Sequence, residues 1–463
     1  MTGISNASGS VFDYSREIRE GGLKARQVLV LLILGLLVLF DGMDNQLLGL
    51  IAHDMSEDLG LPISAFGLIF SSALVGGIAG ALLLSTAADQ SLGRKRVIII
   101  GMGLAGFGTF MTAHAETLIE LIGVRFVTGI GLGAALPILI SLASEFSPQR
   151  YSRLVVSLMI AFVPLGSLLG SVMARGILPY SGWHGLLYVA GCGTIALTLL
   201  AAFVVPESVA FLVNRKRNQP AAVKSIRKLF GVNGVGSVVV DQERDAHAIS
   251  KKLPVAMLFD KKLRALTILV WIAFFMDQAI LYFVMNWTPS LLLKAGMSSS
   301  AGTDAAAMFG IGGALGTIAQ GWLTTRFGIY KVMIVEICIY VAAMVALPSV
   351  LDHPEMASAM VFAIAATICA YHAGLINLTL ESFPESIRST AFGWAFGMGR
   401  MGAAGAPAIA GVFLGWGWSP ALIFLWAAML GVATGLALLG MRKILSRRSA
   451  QQAAGQDAAV GMA

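Results

Sequence analysis

The sequence predicts an all-α membrane protein in which twelve transmembrane helices form two pseudo-symmetric six-helix bundles. Hydrophobic residues make up 57% of the 463-residue chain, and charged residues make up only 12%, whereas a soluble domain has about 25% charged residues. Twelve apolar runs have close to the roughly 20 residues that a helix needs to cross a bilayer. Short motifs of the first half recur in the second half at one common offset, which indicates two related halves.

The twelve runs divide the chain into five parts. They lie near residues 29–50, 66–88, 97–115, 118–142, 154–178, 184–205, 265–289, 304–325, 330–350, 357–380, 389–414 and 418–441. From these runs we expect an N-terminal tail over 1–28, an N-terminal bundle over 29–205, a central loop over 206–264, a C-terminal bundle over 265–441 and a C-terminal tail over 442–463. The central loop is the only long polar segment between the predicted helices.

The charges of the loops predict how the chain is oriented. Basic residues are concentrated in both tails, in the central loop and in every second short loop, such as the one with Arg94, Lys95 and Arg96. The opposite loops contain acidic residues and almost no Lys or Arg, apart from Lys294. Because loops rich in Lys and Arg stay in the cytoplasm, both termini are predicted to be cytoplasmic. This distribution accounts for the net charge of +7 without a nucleic acid partner.

The internal repeat has an offset of about 236 residues. Three glycines of the second span are matched by three in the eighth: Gly76, Gly77 and Gly80 by Gly312, Gly313 and Gly316. At the same offset Asp41 corresponds to Asp277. Repeats of six spans are typical of secondary transporters, whose substrate site lies near the interface of the repeats. The sequence therefore favours a transporter with acidic groups in both halves.

The first span contains two aspartates, Asp41 and Asp44, three residues apart and therefore on one helix face. A charged side chain at the bilayer centre costs about 2.5–3.5 kcal/mol on insertion scales, and such residues usually face a polar cavity and mark an ion or substrate pathway. Burial and a neighbouring carboxylate both favour the protonated form of a carboxyl group. The pair is therefore a predicted proton-coupling site; the alternative is a structural salt bridge to Arg125.

Other ionisable residues within the spans suggest further roles. Arg125 and Arg400 can bind a substrate carboxylate, since a guanidinium keeps its proton and matches a carboxylate with two donors. For Arg400, a role in helix packing and conformational switching is as well supported as substrate contact. Asp277 is a further candidate for proton coupling, and His372 for the cavity or a proton relay, although a packing histidine is the commoner outcome. Glu336 in the ninth span is expected to form a structural pair.

Several motifs carry a family resemblance. The loop from Asp89 to Arg96 resembles the signature between the second and third helices of the major facilitator superfamily. Asp41-Gly42-Met43-Asp44 resembles the DGxD signature of its aromatic acid:proton symporter subfamily. Three further segments are similar to the fourth, seventh and eleventh helices of that subfamily: Arg125 to Gly133 with Pro137, Tyr282 to Pro289, and Gly399 to Ala403 with Pro407.

This resemblance implies the major facilitator fold and import of an aromatic carboxylate by proton symport through alternating access, the substrate being a hydroxybenzoate, a benzoate or a lignin-derived aromatic acid. It implies that the aspartate pair is essential, and that Arg125 and Arg400 take part in substrate handling or conformational change. Tyr282, Asn286 and Trp287 are expected at the substrate. A cytoplasmic gating motif is expected to comprise Asp89, Gly93, Arg94 and Glu145.

The expected partners are the aromatic substrate, protons and the lipid bilayer, and the expected state is a monomer in the inner membrane. No cofactor or metal is expected, because the chain contains no P-loop, no HExxH and no paired CxxC. The GxGxxG run at Gly101 lies inside a bilayer-length apolar segment and predicts helix packing, not dinucleotide binding. A sugar or dicarboxylate porter and a non-transporting receptor are the alternatives, and an enzyme is not expected.

Overall fold

The computed structural model describes residues 10–215, 218–232, 235–240, 257–261, 263–384 and 387–460, and most of them are helical. A short strand and helix come first: β1 (Ser10–Asp13) and α1 (Tyr14–Glu20). Five long helices follow: α2 (Ala25–Asp58), α3 (Phe66–Ala87), α4 (Arg94–Thr112), α5 (Leu118–Glu145) and α6 (Gln149–Val204). The central segment contains α7 (Gln219–Phe230) and β2 (Val235–Val239). Six long helices complete the described chain: α8 (Arg264–Lys294), α9 (Ser299–Phe327), α10 (Ile329–Ala346), α11 (Pro354–Ser382), α12 (Arg388–Gly415) and α13 (Pro420–Val460).

The eleven long helices provide the twelve predicted transmembrane helices. Helix α6 consists of two spanning helices joined at Gly182, whose φ of 58° is accessible to glycine and unfavourable for other residues. Among the described residues, eight helices are long and apolar enough to be recognised as spans by length and hydropathy, with α6 counted once. The remaining three are α4, α9 and α12. Glycines lower the mean hydropathy of these three helices, and in α4 three basic residues in the first turn lower it further.

The chain forms two compact units. The first comprises Met1–Asp44, Ser72–Leu169 and Gly176–Ala248, and the second comprises Asn45–Ser71, Gly170–Arg175 and Ile249–Ala463. Within the second unit, the second half of α2 packs on α8: Ser290 Oγ donates to the carbonyl of Gly49 at 3.1 Å. The division into bundles over 29–205 and 265–441 stays a prediction from the sequence.

Glycines allow the helices of the first unit to approach one another closely. A Cβ atom at Gly80 of α3 would lie 2.0 Å from the carbonyl oxygen of Ile130 in α5, and one at Gly42 of α2 would lie 2.0 Å from that of Val163 in α6. Close backbone contact through small residues is the usual packing mode of helices in lipid. The crossing at Gly42 fixes the part of α2 that holds both aspartates.

The second unit repeats the glycine crossing between α3 and α5. A Cβ atom at Gly316 of α9 would lie 2.0 Å from the carbonyl oxygen of Ala366 in α11. Gly316 follows Gly80, and Ala366 follows Ile130, by the same 236 residues (316 − 80 and 366 − 130). The repeat in the sequence is therefore also a repeat of helix contacts.

The N-terminal segment and the central segment pack together in the first unit. Strand β1 pairs in parallel with β2. The ring of Phe230 at the end of α7 contacts Phe12 and Tyr14, with centroids 5.4 and 6.1 Å apart. Tyr14 also donates a hydrogen bond to the carbonyl of Glu145 at 2.8 Å, which connects the N-terminal segment to the end of α5.

Gly80→Ala is expected to destabilise the protein by about 1–3 kcal/mol, the usual cost of overpacking, because its methyl group would meet a backbone carbonyl. Gly123→Ala in α5 is the matched control, since a Cβ atom there has nothing within 4 Å and alanine favours a helix by up to about 1 kcal/mol. Thermal unfolding in detergent would compare the two variants. Equal shifts in Tm would contradict the packing role of Gly80.

Candidate functional site

Asp44 and Arg125 form a buried salt bridge in the first unit. Arg125 Nη2 lies 2.7 Å from Asp44 Oδ2, and Arg125 Nη1 donates to Asp44 Oδ1 at 3.3 Å. The side chains are only 3% and 5% exposed. The hydroxyl of Thr109 in α4 also donates to Asp44 Oδ1. The predicted aspartate of α2 and the predicted arginine of α5 therefore meet, with a third helix supplying a neutral donor.

The glycines of α4 and α5 explain why three helices reach one carboxylate. A Cβ atom at Gly108, the residue before Thr109, would lie 2.2 Å from Thr128 Oγ1 of α5. Two turns earlier along α4, a Cβ atom at Gly101 would lie 2.7 Å from the carbonyl oxygen of Gly131. This close crossing brings Thr109 and Arg125 to the same side chain of α2. It also supports the interpretation of the GxGxxG run as a packing surface, here at Gly101.

Asp41 and the remaining donor of Arg125 complete the polar group. Asp41 is 3% exposed and lies one helical turn before Asp44. Arg125 Nε is buried, and it has no hydrogen-bond partner within the described part of the chain. Asp44 therefore pairs with a guanidinium that retains a donor for a further acceptor, and a second buried acid lies one turn away along α2. Such a group can exchange a proton and can bind an anion.

Asp277 and His372 meet in the second unit. His372 Nδ1 of α11 lies 2.5 Å from Asp277 Oδ2 of α8, and Asp277 is completely buried. Asp277 Oδ1 has no hydrogen-bond partner among the residues that the structure describes. The ring of Phe274 packs edge-on against His372 with centroids 6.3 Å apart. The structure thus joins two residues that the sequence suggested separately.

The other predicted substrate residues have different surroundings in the second unit. Arg400 Nη1 of α12 donates to the Tyr282 hydroxyl of α8 at 3.3 Å, and its guanidinium lies 5.2 Å from the ring centre of Phe396. Asn286 donates to the carbonyl of Tyr282 within its own helix. Trp287 is completely buried, and its Nε1 donates to the carbonyl of Pro407 at 3.0 Å. In this conformation Arg400 and Tyr282 form a polar contact, whereas Asn286 and Trp287 are engaged in packing.

The cytoplasmic motif is organised around Glu145. Arg94 Nη1 lies 2.7 Å from Glu145 Oε2, and Ser208 Oγ contacts both carboxylate oxygens at 2.8 Å. Gly93 has a φ of 94°, and a Cβ atom there would lie 2.4 Å from Glu207 Oε2. Asp89 lies in the π-helical turn Ala88–Leu92, and its side chain lies outside the described residues. Arg94 and Glu145 therefore belong to one charge network, and Gly93 lies close to Glu207 beside it.

Comparison with known proteins identifies the family. The Major Facilitator Superfamily profile matches residues 34–363, more than half of the chain. The chain belongs to the major facilitator superfamily. It is 31% identical over 423 residues to the 4-hydroxybenzoate transporter PcaK of Acinetobacter baylyi, a match that covers 89% of this chain and 91% of that protein. It is also 31% identical to a gallate transporter of Pseudomonas putida, over 90% of this chain and 92% of that protein.

Solved structures of the superfamily share the fold. The nucleoside transporter NupG superimposes with a TM-score of 0.68 at 14% identity, covering 89% of this chain and 99% of that one. The xylose transporter XylE of E. coli, in a partially occluded inward-open conformation, gives 0.67 at 18% identity over 91% of this chain and 98% of that one. These relatives and neighbours are transporters, so the chain is a multi-pass membrane transporter and not an enzyme.

Two residues that make polar contacts in the structure, Thr109 and Glu207, were not among the predicted site residues. Thr109 gives no signal in the sequence, because threonines are common in apolar spans. Glu207 opens the central loop and accepts hydrogen bonds from the backbone N–H groups of Lys95 at 3.0 Å and Ser208 at 2.9 Å. Burial raises the pKa of Glu207, and the nearby Glu145 raises the pKa further. In the sequence, Glu207 lies just after a predicted span. Matching acidic residues at span ends with the basic loop around Arg94 would have identified it as a candidate.

Proposed function

We propose that the protein imports an aromatic carboxylate, such as a hydroxybenzoate, together with a proton, by alternating access across the inner membrane with both termini in the cytoplasm. The observation that carries the proposal is the buried salt bridge between Asp44 and Arg125. The substrate class comes from the relatives, which are transporters of 4-hydroxybenzoate and of gallate.

The salt bridge provides a physical route to coupling. When Asp44 is ionised, it occupies the two terminal nitrogens of Arg125. A proton on Asp44 removes its charge and weakens this interaction, since hydrogen bonds between charged groups are about twice as strong as neutral ones. Arg125 is then available to a substrate carboxylate, which restores a partner to the buried cation. One proton and one monoanion enter the group together, and its net charge stays unchanged.

The other polar residues have secondary places in the proposal. Asp41 is the second proton-coupling acid, placed one turn from Asp44. In the second unit, the Asp277–His372 pair is a further proton-coupling element, and Arg400 with Tyr282 is a further contact for the substrate. The Arg94–Glu145 network is a cytoplasmic gating element. The proposal needs one copy of the chain and no cofactor.

Proteoliposome uptake tests the function. Labelled hydroxybenzoates, benzoate, gallate, succinate and hexoses would be offered with and without an imposed pH gradient. We expect aromatic acids to accumulate when the outside is acidic and to equilibrate after the gradient is collapsed. Accumulation of succinate or hexose instead would indicate a dicarboxylate or sugar porter. Binding of an aromatic acid without any uptake would indicate a receptor.

A further inference from the structure

A further buried carboxyl group belongs to none of the hydrogen-bonded groups described above. Glu336 of α10 is 6% exposed. Its Oε2 accepts a hydrogen bond from Gln320 Nε2 of α9 at 3.4 Å. Glu336 Oε1 and Gln320 Oε1 are both buried and have no hydrogen-bond partner in the part of the chain that the structure describes. The expected structural pair of Glu336 is therefore with a neutral amide, and it leaves one oxygen unused on each side.

Protonation of Glu336 would satisfy both unused oxygens. An ionised carboxylate only accepts hydrogen bonds, so it cannot engage the amide oxygen of Gln320. A protonated carboxyl group has an O–H donor, and an O–H on Oε1 can donate to Gln320 Oε1 while Oε2 continues to accept from Nε2. The acid and the amide would then form two reciprocal hydrogen bonds. An ionised Glu336 with one long hydrogen bond to a neutral amide would instead carry the uncompensated desolvation cost of a buried charge.

Helix α11 brings further polar groups to this pair. A Cβ atom at Gly374 would lie 2.3 Å from Gln320 Nε2, so a larger residue there would displace the amide from its present position. Tyr371, one turn earlier, is completely buried, and its hydroxyl has no hydrogen-bond partner among the described residues. Tyr371 interacts electrostatically with both Glu336 and Asp277. The next residue, His372, pairs with Asp277. Adjacent positions of α11 therefore link the two acids of the second unit.

Within the described residues, no cation on the helices around Glu336 forms an ion pair that would stabilise its ionised form. From α9 the partner is Gln320, and from α11 it is Tyr371. On α10 itself, the hydroxyl of Tyr340 donates to the carbonyl of Ala427 in α13. Arg442 of α13 and Glu381 of α11 act on Tyr330 at the beginning of α10.

We propose that Glu336, Gln320 and Tyr371 form a further proton-binding site of the transporter. Glu336 carries the proton and Gln320 holds the protonated form, with the buried Tyr371 hydroxyl as a further neutral polar group. The site goes beyond the proposed function, since it neither contacts Arg125 nor requires a particular substrate.

Infrared difference spectroscopy of the full-length protein in liposomes, recorded between neutral and alkaline pH, tests the proposal. We expect the wild type to show the carbonyl stretch of a buried protonated carboxyl group that is lost on alkalinisation. Glu336→Gln should remove this band, whereas the control Glu355→Gln, at the exposed start of α11, should retain it. Persistence of the band in Glu336→Gln, or its absence from the wild type, would overturn the proposal whether or not an aromatic acid is transported.

Two variants separate proton binding from a structural role. Gln320→Leu removes the acceptor of the acid proton, so we expect the carbonyl band to move to a higher frequency, and an unshifted band would refute the pairing. Glu336→Gln preserves an acceptor and a donor for Gln320. For a substrate that the wild type is known to transport, the uptake rate should fall less steeply with rising pH in Glu336→Gln than in the wild type. Superimposable pH profiles for Glu336→Gln and the wild type would show that the site exchanges no proton during transport.

Discussion

Asp44→Asn is expected to abolish accumulation of the aromatic acid against its gradient, while exchange of internal for external substrate continues. The amide resembles the protonated carboxyl group in size and charge, so it leaves Arg125 available to the substrate. It cannot release a proton, however, and the unloaded transporter can no longer restore the Asp44–Arg125 salt bridge. Net coupled uptake requires that step, whereas exchange does not.

Two assays on the same proteoliposomes would show the difference. The first measures uptake driven by an imposed pH gradient, and the second measures entry of labelled substrate into vesicles preloaded with unlabelled substrate. Asp54→Asn near the end of α2 is the matched control, because it makes the same change outside the buried group. If Asp44→Asn still accumulates substrate in response to the pH gradient, Asp44 is not the coupling group, and Asp41 becomes the remaining acid of the pair.

The sequence predicted the residues of the buried group better than it predicted their contacts. Asp44 and Arg125 stand out because a charge in an apolar run is costly and needs a partner. The structure contains the Asp44–Arg125 salt bridge that the sequence offered as the alternative to a functional role, and the proton-coupling role of the pair stays a prediction. A salt bridge that a proton can open is compatible with coupling.

Contacts that depend on helix rotation could not be predicted in this way. Trp287 is an aromatic residue of the type that could stack on a substrate ring, but its side chain donates a hydrogen bond to the carbonyl of Pro407 instead. Gln320 is an ordinary polar residue in a glycine-rich span, and its importance arises only because Gly374 admits its amide next to Glu336. The repeat offset paired Asp41 with Asp277, but it did not show that Asp277 meets a histidine. Each of these outcomes is set by which helix face meets which neighbour.

Arg125→Ala is expected to cause the largest loss, both of stability and of substrate binding. Removing one partner of a buried ion pair leaves the other charge uncompensated, which typically costs about 3–5 kcal/mol. Asp44 would retain only the hydroxyl of Thr109 among its hydrogen bonds to described side chains. Substrate affinity should fall by at least about tenfold, since a hydrogen bond to a charged group contributes about 1.5–3 kcal/mol and every 1.4 kcal/mol is a factor of ten.

The double variant Asp44→Asn/Arg125→Ala separates the two losses. It removes both charges, so we expect most of the stability to return while substrate binding stays lost, because the cation that would bind the carboxylate is still missing. Arg400→Ala serves as the comparison. Its guanidinium is partly exposed and makes one 3.3 Å hydrogen bond to Tyr282 and a contact with Phe396, so about 1 kcal/mol of destabilisation is expected. Thermal unfolding in detergent and equilibrium binding of a hydroxybenzoate would measure both quantities. A double variant as unstable as Arg125→Ala would show that Asp44 does not depend on Arg125, and unchanged binding in Arg125→Ala would exclude Arg125 as the anion site.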